Sequence, residues 1–185
     1  GYQIYGLGEW GEIGGLILRN WDICEVSQNL NDYDDISIGQ DFGFNHANAI
    51  LLLGIKDDDI YIIDEIYEHE KDTSEIIPLA IEHAIAKNRI MWCDSADPDK
   101  IKVWKRAGFM AMGVDKGGSA GSVNAQIDWL KGTADKNHVV RRRIHVAPHC
   151  TNTIKEMQQW KWQKEILRHP ASYILERSLS NAWIQ

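Results

Sequence analysis

Three consecutive segments of the chain carry the hydrophobic pattern of β-strands. Residues 36–44 alternate apolar and polar positions, residues 47–55 form a continuous apolar run, and residues 60–67 are rich in β-branched and aromatic side chains. Such patterns are typical of strands. The turn between the last two segments, Lys-Asp-Asp-Asp at 56–59, is short. The pattern therefore predicts three strands that pair as an antiparallel meander.

The hydrophobic period changes to that of a helix after Thr73. Apolar residues recur at helical spacing from Ile76 to Ile85, which predicts a helix from Thr73 to about Lys87. Further along, the pattern predicts strands over 89–93, 109–114 and 143–146 and helices over 98–107, 122–130 and 151–160. We therefore expect an α/β fold, in which three antiparallel strands and then alternating strands and helices form a mixed central sheet flanked by helices.

The first 31 residues show little periodicity. They are rich in Gly and Trp, and we interpret residues 1–31 as a lead-in segment and residues 32–185 as one globular domain. The longest apolar stretch, 49–53, is far too short to span a bilayer. The three cysteines are odd in number and lack Cys-x-x-Cys spacing, which favours a reducing compartment.

Charge is distributed unevenly along the chain. The formal net charge is −7, which taken alone argues against a nucleic-acid partner. However, residues 1–86 hold 3 Lys or Arg and 18 Asp or Glu, whereas residues 87–168 hold 16 Lys or Arg and 8 Asp or Glu. An acidic half that could bind cations thus precedes a basic half that could bind phosphates, although solvated charged faces without a partner would show the same pattern.

One carboxylate lies inside a predicted strand, and another lies at the end of one. Asp41 interrupts the first apolar strand, and Asp94 ends the fourth. If these strands are neighbours, the two carboxylates converge, and such oxygen ligands suit Mg²⁺ or Mn²⁺. Paired metal ions can activate water for phosphodiester cleavage. The alternative is that Asp41 lies at a turn or edge and that Asp94 is a helix N-cap.

Basic residues follow Asp94 and form candidate phosphate contacts. Lys100 is on the next predicted helix, Lys116 is in a glycine-rich loop, and Arg141, Arg142 and Arg143 precede the last predicted strand. The alternative is a solvated face. His145, His149 and Cys150 have zinc-ligand chemistry, but no fourth ligand is evident. The sequence contains no Gly-x-x-x-x-Gly-Lys phosphate loop, so it predicts no ATPase site of this type.

Several motifs resemble the nuclease domain of the large terminase subunit of tailed bacteriophages. They are GEWG at 8–11, SIGQDFGF at 37–44, YIIDEIY at 61–67 and CDSADP at 93–98. The resemblance covers roughly residues 5–164, and CDSADP is its most specific part. It implies an RNase H-like fold and metal-dependent cleavage of double-stranded DNA during genome packaging. Asp41 and Asp94 would then be the first two metal-binding carboxylates, holding Mg²⁺ or Mn²⁺, with two ions expected.

The resemblance also implies partners and a location. They are double-stranded DNA, an ATPase domain in the full-length chain that the lead-in segment would join, the portal and the small terminase subunit. No membrane partner is expected. The location would be the cytoplasm of the infected bacterium, transiently at the procapsid portal.

The third metal carboxylate of that family has no motif counterpart in this chain. Beyond Glu165 the only carboxylate is Glu176, and no motif supports it. Three alternatives therefore stay open. The chain could be another RNase H-like nuclease of the resolvase or transposase type, or a catalytically incomplete module that docks DNA or protein. The third alternative, a phosphotransferase lobe of the sugar-kinase or actin type, also has Asp-x-Gly on its first strand, but 185 residues are too few for its two lobes.

Overall fold

The computed structural model describes residues 4–5, 16–43, 46–115, 123–132 and 141–160. The strands are β1 (Ile4–Tyr5), β2 (Trp21–Cys24), β3 (Asp35–Asp41), β4 (Asn48–Lys56), β5 (Asp59–Glu68), β6 (Ile90–Cys93), β7 (Met110–Gly113) and β8 (Ile144–Val146). The helices are α1 (Thr73–Glu82), α2 (Pro98–Arg106), α3 (Val123–Lys131) and α4 (Thr151–Gln159), and a 3₁₀ turn spans Leu30–Asp32.

The described strands form one eight-stranded mixed sheet in the order β1-β2-β8-β5-β4-β3-β6-β7. The meander β3-β4-β5 is antiparallel, whereas β6 pairs with β3, β7 with β6, and β8 with β5 in parallel. The helices α1 and α2 are the crossovers that lead from β5 to β6 and from β6 to β7. This arrangement confirms the predicted α/β fold class. The first and fourth predicted strands, β3 and β6, are neighbours in the sheet.

The hairpin between β4 and β5 contains two irregular features. Asp57 and Asp58 have positive φ angles of 49° and 68°, the left-handed conformation that a tight hairpin turn requires and that aspartate tolerates. Further along, Leu52 pairs with Asp64 and Leu53 with Ile62, so Ile63 is an extra residue that forms a β-bulge. Its side chain is buried.

The register assigns side chains to two faces of the sheet, because successive residues of a strand point in opposite directions. Asp41 pairs with Ala49, and Ala49 pairs with Tyr67, so these three residues share one face, which we call the α4 face. Asp64 lies on the opposite face, where its carboxylate contacts His83 at the end of α1. The name α4 face reflects the contact of Tyr67 with α4.

Helix α1 is shorter than predicted. It begins at Thr73, as expected, behind a capping box of Asp72 and Glu75. It ends at Glu82 instead of about Lys87, because Ala84 adopts a left-handed conformation with φ 54°. The Ile85 N–H then donates to the Ala80 carbonyl and the Ala84 N–H to that of Ile81, the bonding pattern of a Schellman motif.

The segment predicted as a lead-in contributes to the core. Ile17, Leu18 and Trp21 are at most 2% exposed, and β2 pairs in parallel with β8, more than 100 residues later in the chain. Little hydrophobic periodicity is expected of a four-residue strand, which explains why the sequence pattern did not reveal it. The division into a lead-in and a domain at residue 31 stays a prediction.

The three cysteines, Cys24, Cys93 and Cys150, are buried free thiols. Burial raises the pKa of the Cys24 thiol to about 11 and that of the Cys93 thiol to about 12. In the described part of the chain, no helix is both long enough and apolar enough to cross a membrane.

Candidate functional site

Asp41 and Asp94 lie side by side where two parallel strands end. Gln40 of β3 pairs with Cys93 of β6, and the register continued by one residue brings Asp41, the last residue of β3, beside Asp94. Neighbouring strands are about 4.8 Å apart, and paired residues of parallel strands point to the same face. Both side chains are only partly buried. The two carboxylates therefore project from one sheet edge into space that an ion can reach.

Local backbone contacts hold these two residues. The Asp94 carboxylate accepts the Ala96 N–H at 3.0 Å, and the N-cap position of α2 is occupied by Asp97. Asp94 is thus not the helix cap that the alternative reading of the sequence required. After Asp41, the chain turns at Gly43, where an added Cβ would lie 2.5 Å from the Ala47 carbonyl oxygen. Only glycine permits this close approach.

One of the predicted phosphate contacts lies next to this pair. The Lys100 ammonium is 5.4 Å from the centre of the Phe42 ring, and Phe42 directly follows Asp41. The same ammonium pairs with Asp97 at 3.4 Å. Lys100 thus contacts the residue that follows Asp41, while its charge is paired with Asp97.

The α4 face carries a third acidic group near this edge. The Tyr67 hydroxyl donates a 2.9 Å hydrogen bond to Glu156 of α4, whose side chain is buried. Burial of the phenol and its hydrogen bond to Glu156 raise the pKa of Tyr67, and the negative charge of Asp41 adds to the rise. Tyr67 therefore remains a neutral donor that holds Glu156 on the face where Asp41 lies.

Glu65 fixes the beginning of α4 on that face. Its carboxylate is buried and accepts four hydrogen bonds, from the backbone N–H and the side chain of both Asn152 and Thr153, at 2.6 to 3.1 Å. The formal N-cap residue, Cys150, makes no capping hydrogen bond with its side chain. Glu65 therefore satisfies the first N–H groups of α4 from a neighbouring strand.

Sequence reasoning missed Glu65 and Glu156. The buried positions of α4 are Thr153, Glu156 and Met157, and Trp160 follows one turn later. This spacing is that of the inward face of an amphipathic helix. An acidic residue inside that apolar stripe is the signal that could have identified Glu156. Glu176 lies outside the described residues.

The arginine triplet lies at the opposite end of the sheet. Arg142 donates to Asp58 at 2.9 Å and to the Trp129 carbonyl, and its guanidinium stacks 4.2 Å from the Trp129 ring. Arg143 pairs with Asp22 at 3.2 Å. The start of β8 lies in the same row as Asp35, which is six residues, or roughly 20 Å along the strand, from Asp41, and β8 is three strands away from β3.

The guanidinium groups of Arg142 and Arg143 both have partners within the chain, so no ligand is needed to account for these two arginines. Arg141 is exposed. Lys116, the other predicted phosphate contact, lies outside the described residues. The roles of Lys100, Lys116 and the triplet in DNA binding stay predictions.

The three residues considered as zinc ligands separate into two clusters. His145 lies with Asp22 and Cys24, whereas His149 and Cys150 lie with Asp64. His145 bridges two carboxylates, with Nδ1 at 2.8 Å from Asp22 and Nε2 at 2.9 Å from Asp59. Burial opposes ionisation of Asp22, but its hydrogen bonds and charge interactions with His145 and Arg143 outweigh this effect and lower its pKa.

Asp41, Asp94 and Glu156 carry carboxylate oxygens, the donors that Mg²⁺ and Mn²⁺ prefer. Among the described residues, however, the groups of three ligand-type side chains whose donor atoms lie within 4.8 Å of one another are the two His/Cys/Asp clusters and not these three carboxylates. The two His/Cys/Asp clusters have the mixed donors that suit softer ions. The chain thus separates oxygen donors from mixed donors in space.

No protein-family model matches the chain, and no curated protein sequence matches it. Solved structures do. The nuclease domain of the SPP1 bacteriophage large terminase g2p, solved with bound Mn, has a TM-score of 0.62 and 21% identity, covering 78% of this chain and 81% of that one. The P22 large terminase nuclease domain has a TM-score of 0.61 and 15% identity, covering 86% and 91%.

A longer protein shows the same likeness. The large terminase of a thermophilic bacteriophage has a TM-score of 0.68 and 14% identity over 92% of this chain, which spans 45% of that protein. This likeness confirms the fold that the sequence resemblance implied. The chain therefore has the RNase H-like fold of the nuclease domains of bacteriophage large terminases.

Proposed function

We propose that this chain is the endonuclease domain of a large terminase subunit and that Asp41 and Asp94 hold its catalytic metal ions. The observation that carries the proposal is the parallel register of β3 and β6, which sets the two carboxylates beside each other on one face. The fold likeness to terminase nuclease domains, one of them solved with bound Mn, supports the same assignment.

The chemistry would be hydrolysis of phosphodiester bonds with Mg²⁺ or Mn²⁺. Two ions held about 4 Å apart can activate the attacking water and stabilise the charge of the leaving oxygen. The ends of adjacent strands are about 4.8 Å apart, so the Asp41 and Asp94 side chains would both be available to hold such ions. The role of the protein is to hold these oxygens in place before substrate arrives.

Glu156 is our candidate for the third acidic group. It replaces, in this proposal, the carboxylate motif that the sequence lacks. Its carboxylate is held by Tyr67, and Tyr67 is linked to Asp41 through the pairing of both residues with Ala49. Lys100 would contact a phosphate of the bound DNA, since its ammonium lies beside Phe42 at the same edge.

The proposed substrate is concatemeric double-stranded DNA, which a packaging motor cuts into genome-length pieces. The proposed partners are an ATPase domain in the full-length chain, the portal and the small terminase subunit. The length relation to the large terminase of the thermophilic bacteriophage, of which this chain spans 45%, is compatible with a further domain. The site of action would be the host cytoplasm at the procapsid portal.

Plasmid nicking in Mn²⁺ tests the proposal. We expect the chain to convert supercoiled DNA to nicked and linear forms. Asp41→Asn or Asp94→Asn should reduce the rate by more than the roughly 10–100-fold that the loss of a group supporting a metal ligand costs. The matched control is Asp99→Asn, because Asp99 is five residues from Asp94 and its side chain is 94% exposed. This variant should retain the full rate.

Two outcomes would contradict the proposal. Full nicking activity in either Asp41→Asn or Asp94→Asn would remove that residue from the metal site. DNA binding without cleavage at any Mn²⁺ concentration, unaffected by both substitutions, would instead identify a module that only docks DNA. Circular dichroism of each variant would establish that a loss of activity is not a loss of fold.

A further inference from the structure

A second cluster of ligand-type side chains lies on the sheet face opposite the α4 face. The Asp64 carboxylate accepts from two imidazoles, with His83 Nδ1 at 2.8 Å from one oxygen and His149 Nε2 at 3.2 Å from the other. His83 follows α1, and His149 is in the turn before α4. Three separate parts of the chain therefore meet at one carboxylate.

Cys150 completes this cluster. Its thiol is fully buried, and its sulfur lies within 4.8 Å of a ligand atom of both Asp64 and His149. Cys150 occupies the N-cap position of α4 but makes no capping bond with its side chain, a task that Glu65 performs instead. The thiol is thus positioned at the cluster without serving the helix.

We propose that Asp64, His149 and Cys150 bind one divalent ion of the zinc class, with His83 orienting the Asp64 carboxylate. Bond lengths near 2.0–2.3 Å in a tetrahedral site put ligand atoms about 3.5 Å apart. The ligand atoms now lie within 4.8 Å of one another. Rotation of the half-exposed His149 side chain would bring its ring nitrogen closer to the other two ligands. The fourth position would be taken by water.

The donor set selects this class of ion. One thiolate, one imidazole and one carboxylate suit Zn²⁺ or Co²⁺, whereas Mg²⁺ and Mn²⁺ prefer oxygen alone. His83 Nδ1–H donating to the second Asp64 oxygen is the kind of contact that orients a metal-binding carboxylate. The site would therefore discriminate against the ions proposed for Asp41 and Asp94.

The charge around Asp64 also favours a cation there over the second cluster. At Asp22, Cys24 and His145, the Arg143 guanidinium already lies 3.2 Å from Asp22, and a metal ion would have to displace that charge. Within residues 16–43, 46–115, 123–132 and 141–160, the ion pairs of Asp64 are with histidines alone. An imidazole can lose its proton when a metal ion arrives, but a guanidinium cannot.

Binding would release protons. Cys150 would bind the ion as a thiolate, because the thiolate and not the thiol is the metal ligand. When the ion binds, the S–H bond breaks, the thiolate forms a bond to the metal and the proton goes to solvent. His149 would give up its hydrogen bond to Asp64: its Nε2 proton would go to solvent, the neutral ring would carry its one proton on Nδ1, and Nε2 would bind the metal.

The ion would connect the end of α1, the middle of β5 and the start of α4. Since α4 carries Glu156, metal binding would stabilise the helix that faces Tyr67. The inference does not depend on the nuclease proposal, because metal binding can be measured without DNA. A failure of one leaves the other unaffected.

Cobalt titration of the reduced chain tests the site. We expect one Co²⁺ per chain, a sulfur-to-cobalt charge-transfer band, and loss of that band when Zn²⁺ is added. Cys150→Ser should abolish the band, and His149→Ala should weaken Co²⁺ binding at least tenfold. The matched control is Cys24→Ser, which removes the thiol of the other cluster and should leave the band intact.

The inference is overturned if no charge-transfer band appears, or if the band survives Cys150→Ser and disappears in Cys24→Ser. Because Cys150 is buried, Cys150→Ser could fail to fold. His149→Ala then decides, since His149 is 51% exposed and its replacement leaves the core unchanged. Unchanged Co²⁺ affinity in a folded His149→Ala would equally remove the site.

Discussion

The Tyr67 hydroxyl lies 2.9 Å from the Glu156 carboxylate and joins β5 to α4. Through the pairing of Asp41 with Ala49 and of Ala49 with Tyr67, this contact belongs to the same row of residues as Asp41. A buried carboxylate is costly unless donors compensate it. The phenol thus compensates a buried acid that packs on the sheet face carrying Asp41.

Tyr67→Phe should therefore destabilise the fold. A buried carboxylate that loses a donor costs about 1–3 kcal/mol in the free energy of unfolding. Urea denaturation at pH 7 measures it, with Tyr33→Phe as control because its hydroxyl donates to the Ser27 carbonyl at the surface. A loss no larger than that of the control would show that the Tyr67 contact contributes little.

The same pair allows a coupling test. In the double variant Tyr67→Phe/Glu156→Gln, the loss in the free energy of unfolding should differ from the sum of the two single losses, because both substitutions disrupt the same hydrogen bond. Contacting residues show interaction free energies of about 0.5–3 kcal/mol. Strictly additive losses would mean that the two side chains act independently.

Lys100→Ala should weaken DNA binding and reduce its dependence on salt. Each lost phosphate contact lowers the slope of log affinity against log salt by about 1. Lys102→Ala is the matched control, since Lys102 is 63% exposed on the same helix and pairs with Asp99 instead of approaching Phe42. Equal slopes for Lys100→Ala and the wild type would exclude Lys100 from the DNA contacts.

Arg142→Ala should lower stability. Its guanidinium is only 11% exposed, stacks on Trp129 and binds Asp58 and two backbone carbonyls. We expect a loss of about 1–3 kcal/mol in the free energy of unfolding, measured by urea denaturation. Arg106→Ala, at an exposed position at the end of α2, should change it by less than about 0.5 kcal/mol.

If Arg142→Ala and Arg106→Ala prove equally stable, the guanidinium contacts contribute nothing, and Arg142 is available for a ligand. That result would favour the DNA-binding role predicted for residues 141–143.

Acid should weaken the contribution of Asp22. Its pKa is lower in the folded chain than the unfolded value of about 3.9, so its stabilising effect is complete above that value and is lost as the pH falls through the folded pKa. The stability difference between wild type and Asp22→Asn should shrink below about pH 4. A difference that stays constant down to pH 2 would contradict the lowered pKa.

The central sheet could be predicted because its signals are local. The strands from 36 to 67 have clear hydrophobic patterns, and the aspartates of the turn at 57–58 suit positive φ angles. Asp41 and Asp94 were singled out as candidates because a charged residue inside an apolar strand, or at its end, is conspicuous in the sequence. Their adjacency required only that the first and fourth predicted strands pair.

The remaining features depend on contacts between distant parts of the chain. β2 is defined by its pairing with β8, and Arg142 is buried by Trp129 and Asp58, which are 13 and 84 residues away. His149 and Cys150 lie close to Asp64 only because the start of α4 packs against β5. A local pattern carries no information on such partners, so the basic triplet suggested a ligand surface.

The bulge at Ile63 determines which partners the polar end of β5 can have. Without this extra residue in the alternation, Glu65 and Tyr67 would point toward α1, and Asp64 toward α4. Helix α4 would lose its capping carboxylate, and Glu156 its phenol. The number of residues between Ile62 and Asp64 therefore sets which side chains face α4. A one-residue insertion or deletion there would move Glu65 and Tyr67 to the face of α1 and Asp64 to the face of α4, although none of these side chains had been replaced.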